Sequence, residues 1–164
     1  MIVLGVDPGT AATGYGVVSG NGSATARLIE CGVIRTDPSQ DLSARLVSIY
    51  EGVSEVVARH NPECMSVEGV FYARNVRTTL ILGHARGVIL LAARLKGVSV
   101  FEYPPAEIKK AVVGAGSATK EQVQFMVAKL LRLKEAPQPS DAADAVAAAL
   151  AHIYSIRMRA LVNA

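Results

Sequence analysis

Residues 2–19, "IVLGVDPGTAATGYGVVS", carry the reading that decides the fold. Residues 2–6 are aliphatic or β-branched, the composition of a buried strand. Pro8, Gly9 and the Gly-rich "PGTAATG" then mark a turn, and a second apolar run follows at 14–19. What disturbs this pattern is Asp7, a carboxylate at the end of the first strand. A lone charge at the rim of a core is costly unless something pairs with it. The rest of the chain has to supply its partner.

Working outward, "SGNGSA" separates the second run from a third at 26–34, and turns this short favour an antiparallel meander. From Asp41 to His60 the period becomes helical, with Leu42, Leu46, Ile49, Val53, Val56 and Val57 on one stripe. "CMSVE" (64–68) reads as a short strand, 76–96 as a long helix, and "VSVFEY" (98–103) as a strand stopped by Pro104 and Pro105. A short helix at 105–112, the loop "GAGSA" and a helix at 119–133 follow, Thr119 and Gln122 having the spacing of a capping box. "EAPQPS" breaks the chain, and Ser140 can cap an Ala-rich helix to 160. Meander strands followed by alternating helix and strand predict an α/β fold. Its expected form is a ribonuclease H-like mixed sheet, a three-strand antiparallel meander extended by parallel strands, with helices on both faces. With no repeat or linker, residues 1–164 are expected to form one domain.

Composition narrows the function classes. Half the residues are hydrophobic and none is Trp, so the core is built from Ala, Val, Leu and Ile. Met1 leads directly into "IVLGV" without a basic n-region, so no signal peptide is expected. "VILLAA" (88–93), between Arg86 and Arg94, is too short to span a bilayer. Cys31 and Cys64 lie in apolar strand contexts without a CxxC spacing, as buried thiols of a reducing cytoplasm would. The net charge is only +3, yet residues 69–101 hold Arg74, Arg77, Arg86, Arg94 and Lys96 and no acid. Such a stretch is either a solvated helix face or a surface for a polyanion.

Four acids stand apart from those on polar helix faces. Asp7 and Glu68 end strands, and Asp141 and Asp144 open the last helix in "SDAADA", sharing one side of it. Each has an ordinary explanation alone: a turn, a strand end, or complementing a helix dipole. Together they fall where this fold would make them converge, provided the strands of Asp7 and Glu68 are neighbours. Converging carboxylates repel unless a hard divalent cation joins them, and oxygen ligands select Mg²⁺ or Mn²⁺. Two such ions suit phosphodiester hydrolysis, with Asp7 bridging them. "DPGTAATGYG" also has a phosphate-cradling reading, as in actin-like ATPases and sugar kinases, but those need a duplicated fold and this chain has room for one half.

Across nearly its whole length the chain resembles the RuvC family of Holliday-junction resolvases. The likeness is carried by "GVDPGT…TGYGVV" (5–18), "IRT" (34–36), "VEGVFYARN" (67–75), "LGHARGV" (82–88), "FEYPPAEIKKAVVGAGSATKEQVQ" (101–124) and "SDAADAVAAALAH" (140–152). It implies that Asp7, Glu68, Asp141 and Asp144 are catalytic metal ligands for two Mg²⁺, Mn²⁺ being a substitute; some members carry His where Asp141 stands. Lys109 and Lys120 match basic residues near the scissile phosphate. Lys120, opening a helix after "GAGSA", would also add its charge to backbone N–H groups suited to phosphate. Phe71 matches an aromatic that stacks on opened bases, with Tyr72, Arg74, Asn75, Arg77, Lys110 and Ser117 as further DNA contacts. A core-anchoring Phe71 with an exposed Tyr72 is the alternative. Gly69 departs from the larger polar residue of many relatives.

The resemblance implies an Mg²⁺-dependent endodeoxyribonuclease of homologous recombination and DNA repair, acting on four-way junction DNA and leaving 5′-phosphate ends. Paired symmetric cuts require a homodimer, and the family works with the RuvA–RuvB branch-migration complex. Gly83 and Gly87, four apart on one helix, belong either to that dimer interface or to packing on the sheet. Setting the four site acids aside leaves 17 basic side chains against 10 acidic ones (14 less these four), which suits binding to a duplex backbone. Other readings are a nuclease for another branched or single-stranded substrate, and a non-catalytic junction-binding module. The second gains nothing from clustered negative charge.

Overall fold

The computed structural model describes residues 1–21, 25–69 and 75–162, apart from the side chains of 157 and 159–162. Five strands, β1 (Ile2–Asp7), β2 (Ala12–Ser19), β3 (Arg27–Arg35), β4 (Cys64–Glu68) and β5 (Ser99–Tyr103), form one sheet in the order β3-β2-β1-β4-β5. β1, β2 and β3 pair antiparallel, while β4 joins β1 and β5 joins β4 in parallel. This is the meander extended by parallel strands that the sequence predicts. Its helices are α1 (Leu42–His60), α2 (Val76–Leu95), α3 (Pro105–Val113), α4 (Lys120–Leu130) and α5 (Ser140–Val162).

Alternation along the strands sorts side chains between two cores. Leu4, Val6, Val17, Met65 and Val67 pack with Ile49, Val53, Ala85 and Ile89 of α1 and α2. Val3, Val18 and Cys64 face the other way, onto α3, α4 and α5. Residues 3, 5 and 7 therefore share the α5 face, as do 64, 66 and 68. α5 is buried nearly all round, Ala142, Ala143 and residues 145–151 being at most 1% exposed. Its alanines let it lie unusually close to the sheet. An ideal Cβ on Gly5 would stand 1.9 Å from the Ala145 carbonyl oxygen, and one on Gly16 would stand 2.4 Å from Val146 Cγ2. Gly5 and Gly16 are register partners, so they form a flat strip across β1 and β2 under the helix.

Several expectations are refined. α4 stops at Leu130, short of 133: Arg132 takes a left-handed φ of 55°. The Leu133 N–H bonds the Ala128 carbonyl and the Arg132 N–H that of Lys129, closing a Schellman motif. Ser140 is the first residue of α5 rather than the one preceding it. Cys64 is buried, but Cys31 is only half-buried, because β3 is an edge strand. Gly83 and Gly87 do not pack on the sheet, since a Cβ at either would meet nothing within 4 Å. α2 is long and apolar enough to cross a membrane on length and composition, yet its Ala85, Ile89, Ala92 and Ala93 are buried in the core with α1.

Candidate active site

The acids converge because of strand phase and helix approach. Val6 pairs in register with Val67, so the next residues, Asp7 and Glu68, leave the sheet side by side. Both point to the α5 face. α5 reaches them because Gly14, the partner of Asp7 across β1 and β2, has no side chain: a Cβ there would lie 2.0 Å from the Asp141 carbonyl oxygen. Ser66, on the same face of β4, donates from its buried hydroxyl to the Ala148 carbonyl at 2.6 Å and ties the helix down further along. Carboxylate oxygens of Asp7, Asp141 and Asp144 all come within 4.8 Å of one another. Glu68 stands beside this trio, hydrogen-bonded to Asp7.

Electrostatics follow from that crowding. Burial, first, and then the charges of Glu68, Asp144 and Asp141 push the Asp7 carboxyl up to about 8. Asp7 and Glu68 accordingly share a hydrogen bond between their carboxyl groups. Glu68 is itself raised, mainly by burial and the Asp144 charge, against the opposing pull of Asp7's hydrogen bond, Lys120 and Lys109. Lys120 Nζ lies 2.7 Å from Asp144 Oδ2, and that bond holds the lysine above its ordinary value. Hard oxygen donors, densely packed and with Lys120 as the one ion pair that the described residues make to them, fit a hard divalent cation.

A cleft of about 170 Å³ opens beside the acids, lined by Glu68, Asp144, Lys109, Lys120 and the apolar Pro105, Ile108, Val123 and Ala147. Lys109 enters half-buried from α3. Lys120 is the first residue of α4, whose end is closed by the expected capping box between Thr119 and Gln122. Ser117 is exposed in the preceding turn. Lys110 lies apart from these, lining a separate cavity with Tyr103, Glu107, Tyr154 and Met158. Arg77 is exposed near the start of α2, where the Asn75 side chain caps the helix by accepting from the Arg77 and Thr78 N–H groups. Phe71, Tyr72 and Arg74 lie outside the described residues.

Three contributors escape a reading of the sequence: Gly14, Ser66 and Arg86. Gly14 and Ser66 act through contacts with α5, more than 80 residues away along the chain. Arg86, within the acid-free basic stretch, is turned inward to Glu102 and to the backbone of Glu68. The only local clue is that Glu102 is the first acid after that stretch.

Comparisons with known proteins agree with this geometry. The family model for crossover junction endodeoxyribonuclease RuvC matches residues 3–152. The crossover junction endodeoxyribonuclease RuvC of Pelotomaculum thermopropionicum is 49% identical over 154 residues, covering 94% of this chain and 93% of the relative. That of Moorella thermoacetica is 50% identical, covering 93% and 90%. Thermus thermophilus RuvC, solved in complex with a Holliday junction substrate, superposes with a TM-score of 0.92 at 42% identity, covering 97% of this chain and 96% of that one. The yeast mitochondrial Holliday junction resolvase Ydc2 shares the fold, with a TM-score of 0.73 at 15% identity over 98% and 81% of the two chains.

Proposed function

The chain belongs to the RuvC family of crossover junction endodeoxyribonucleases, and from that premise we propose that it resolves Holliday junctions by paired, symmetric, metal-dependent hydrolysis of phosphodiesters. The observation that carries the mechanism is the convergence of four carboxylates beside two lysines on the rim of one cleft. Asp7, Glu68, Asp141 and Asp144 hold two Mg²⁺, for which Mn²⁺ can substitute. When bound, such ions activate a water and neutralise charge on the phosphate and the leaving oxygen.

The chain's own groups do the rest. Asp7 would release to solvent the proton it shares with Glu68 on becoming a ligand. Lys120 is already aligned by Asp144, and Lys109 faces the same cleft; both bring positive charge to the phosphate. The N-terminal N–H groups of α4 add to the attraction. Phe71 or Tyr72 stacks on bases opened at the junction, and Arg74, Asn75, Arg77, Lys110 and Ser117 contact the DNA. Residues 1–164 act as one nuclease domain in the cytoplasm, alongside the RuvA–RuvB complex.

Two symmetric cuts call for a two-fold pair of chains. Support for its location comes from the outer side of α2. Val76, Leu80, Leu91 and Leu95 are exposed there, and Gly83 and Gly87 stand open between them. A second copy packs on this stripe, where the glycines allow two helices to approach closely.

The test uses a synthetic four-way junction labelled on each strand, incubated with Mg²⁺, with EDTA, and with the Asp7→Asn variant. Paired symmetric nicks that require Mg²⁺ and vanish in the variant, with junction binding retained, support the proposal. Binding without cleavage under every metal and junction sequence would make the chain a binding module. Cleavage of flaps or single strands but not junctions would keep the site and discard the substrate.

A further inference from the structure

The peptide unit that follows Glu68 is held at both ends. Its carbonyl, that of Glu68, accepts a hydrogen bond from Arg86 Nη1 at 2.6 Å. Its N–H, that of Gly69, donates to the Tyr103 carbonyl at 2.7 Å. Arg86 is anchored in turn, since Nη2 pairs with the Glu102 carboxylate of β5 and the side chain is only 13% exposed. Gly69 lies close against the start of the β5–α3 connection, a Cβ there standing 3.2 Å from the Tyr103 carbonyl oxygen. Behind it, a hydrogen bond joins Tyr103 Oη to His152 Nδ1 of α5 at 2.8 Å. The end of β4 is thereby braced against α2, β5 and α5.

A brace is needed at this point. Glu68 is the last residue of β4, and strand ends are where fraying begins. Glu68 must keep its carboxylate beside that of Asp144, whose charge repels it while no cation is bound. A guanidinium that grips the Glu68 carbonyl with one nitrogen and a neighbouring strand with another fixes the backbone from which the carboxylate projects. It does so without neutralising that carboxylate, which stays available to a metal.

We propose that Arg86 is a positioning residue for the metal site: through the Glu68 carbonyl it sets the direction in which the Glu68 side chain enters the acidic cluster. The proposal rests on the reading of Glu68 as a metal ligand. Because Arg86 projects from α2, it also ties the active site to the helix on which the second copy packs.

The experiment compares the intact protein with Arg86→Met, Arg86→Lys, Glu102→Gln and Glu68→Gln. Mn²⁺ binding is followed by calorimetry without DNA, alongside junction affinity in EDTA, single-turnover cleavage against Mg²⁺ concentration, and Tm. Arg86→Met is expected to weaken Mn²⁺ binding roughly tenfold, as loss of a group that orients a ligand does. The Mg²⁺ needed for half-maximal cleavage should rise in step, with junction affinity in EDTA unchanged. Glu102→Gln, at a more exposed site, should fold normally and move metal affinity the same way by less; Arg86→Lys should recover part of the loss. Unchanged metal affinity in Arg86→Met and Glu102→Gln, whatever Tm does, overturns the proposal and leaves Arg86 a structural ion pair. Unchanged Mn²⁺ affinity in Glu68→Gln would instead overturn Glu68 as a ligand, a separate failure.

Discussion

Gly14 and Asp141 touch through a space in which no β-carbon fits. The backbone of β2 lies so near the first turn of α5 that an ideal Cβ on Gly14 would stand 2.0 Å from the Asp141 carbonyl oxygen and 3.1 Å from the Asp141 Cβ. The approach places Asp141 and Asp144 over Asp7. A hydrogen atom at one position of a strand thus decides whether the acidic cluster exists.

Gly14→Ala therefore should damage the site more than the fold. Overpacking of this kind costs about 1–3 kcal/mol, and the obstacle is backbone, which cannot swing aside. Gly16→Ala meets Val146 Cγ2 at 2.4 Å, further along the helix. Thermal unfolding should show both variants destabilised. Mn²⁺ calorimetry should show binding lost in Gly14→Ala and largely kept in Gly16→Ala. Equal metal affinities would detach the site from this contact.

Lys120 compensates Asp144 only while no cation does. Without metal the pair at 2.7 Å is the only ion pair that the described residues make to the acidic trio. Lys120→Met should lower Tm slightly in EDTA, since its lysine is about half exposed. At saturating Mg²⁺ the Tm difference from the parent should shrink, while cleavage of a junction falls by roughly 10- to 100-fold, the scale of a lost transition-state charge contact. A Tm gap that widens with Mg²⁺ would contradict this.

Asp7 makes the metal-free protein sensitive to base. Its folded pKa of about 8 lies above the ordinary 3.8, so the folded chain keeps a proton that the unfolded chain releases. That contribution is complete below about pH 4 and is lost as pH rises toward 8. Urea midpoints measured in EDTA should fall across this window, and Asp7→Asn should flatten the decline. Mg²⁺ should flatten it too, by accepting the charge in place of the proton.

Glu30 has the opposite sign. Its carboxylate accepts from Arg59 Nη2 at 2.6 Å and Nε at 3.1 Å, and from the Tyr15 hydroxyl at 2.9 Å, with His60 Nε2 2.5 Å away. The Arg59 hydrogen bonds, foremost, hold it down to about 2 from the ordinary 4.5. The stability it contributes is present above about pH 4.5 and is lost as pH falls toward 2. Glu30→Gln should remove that part of the acid sensitivity, read from urea midpoints, and leave Mn²⁺ affinity untouched, because the network joins β2, β3 and α1 on the face opposite α5.

Much of this protein was written locally. The continuous apolar run in "IVLGVD", the helical stripe from Leu42 to Val57 and the capping box at Thr119 and Gln122 depend on neighbours in the chain, so strands and helices are legible from the residues alone. The acids were legible as candidates for the same reason: each broke a local apolar pattern. Tertiary structure decided what no local pattern holds. Whether Asp7 lies beside Glu68 depended on β4 pairing with β1, and whether Asp141 reaches them depended on Gly14 presenting no side chain to α5. Arg86 read as one more surface charge until the fold brought Glu102 and the Glu68 carbonyl to it. Gly83 and Gly87 read equally well as inward or outward until α2 turned Ala85 and Ile89 to the core. Period and capping act over a few residues. Contact between segments eighty residues apart is selected only by the packing of the whole chain.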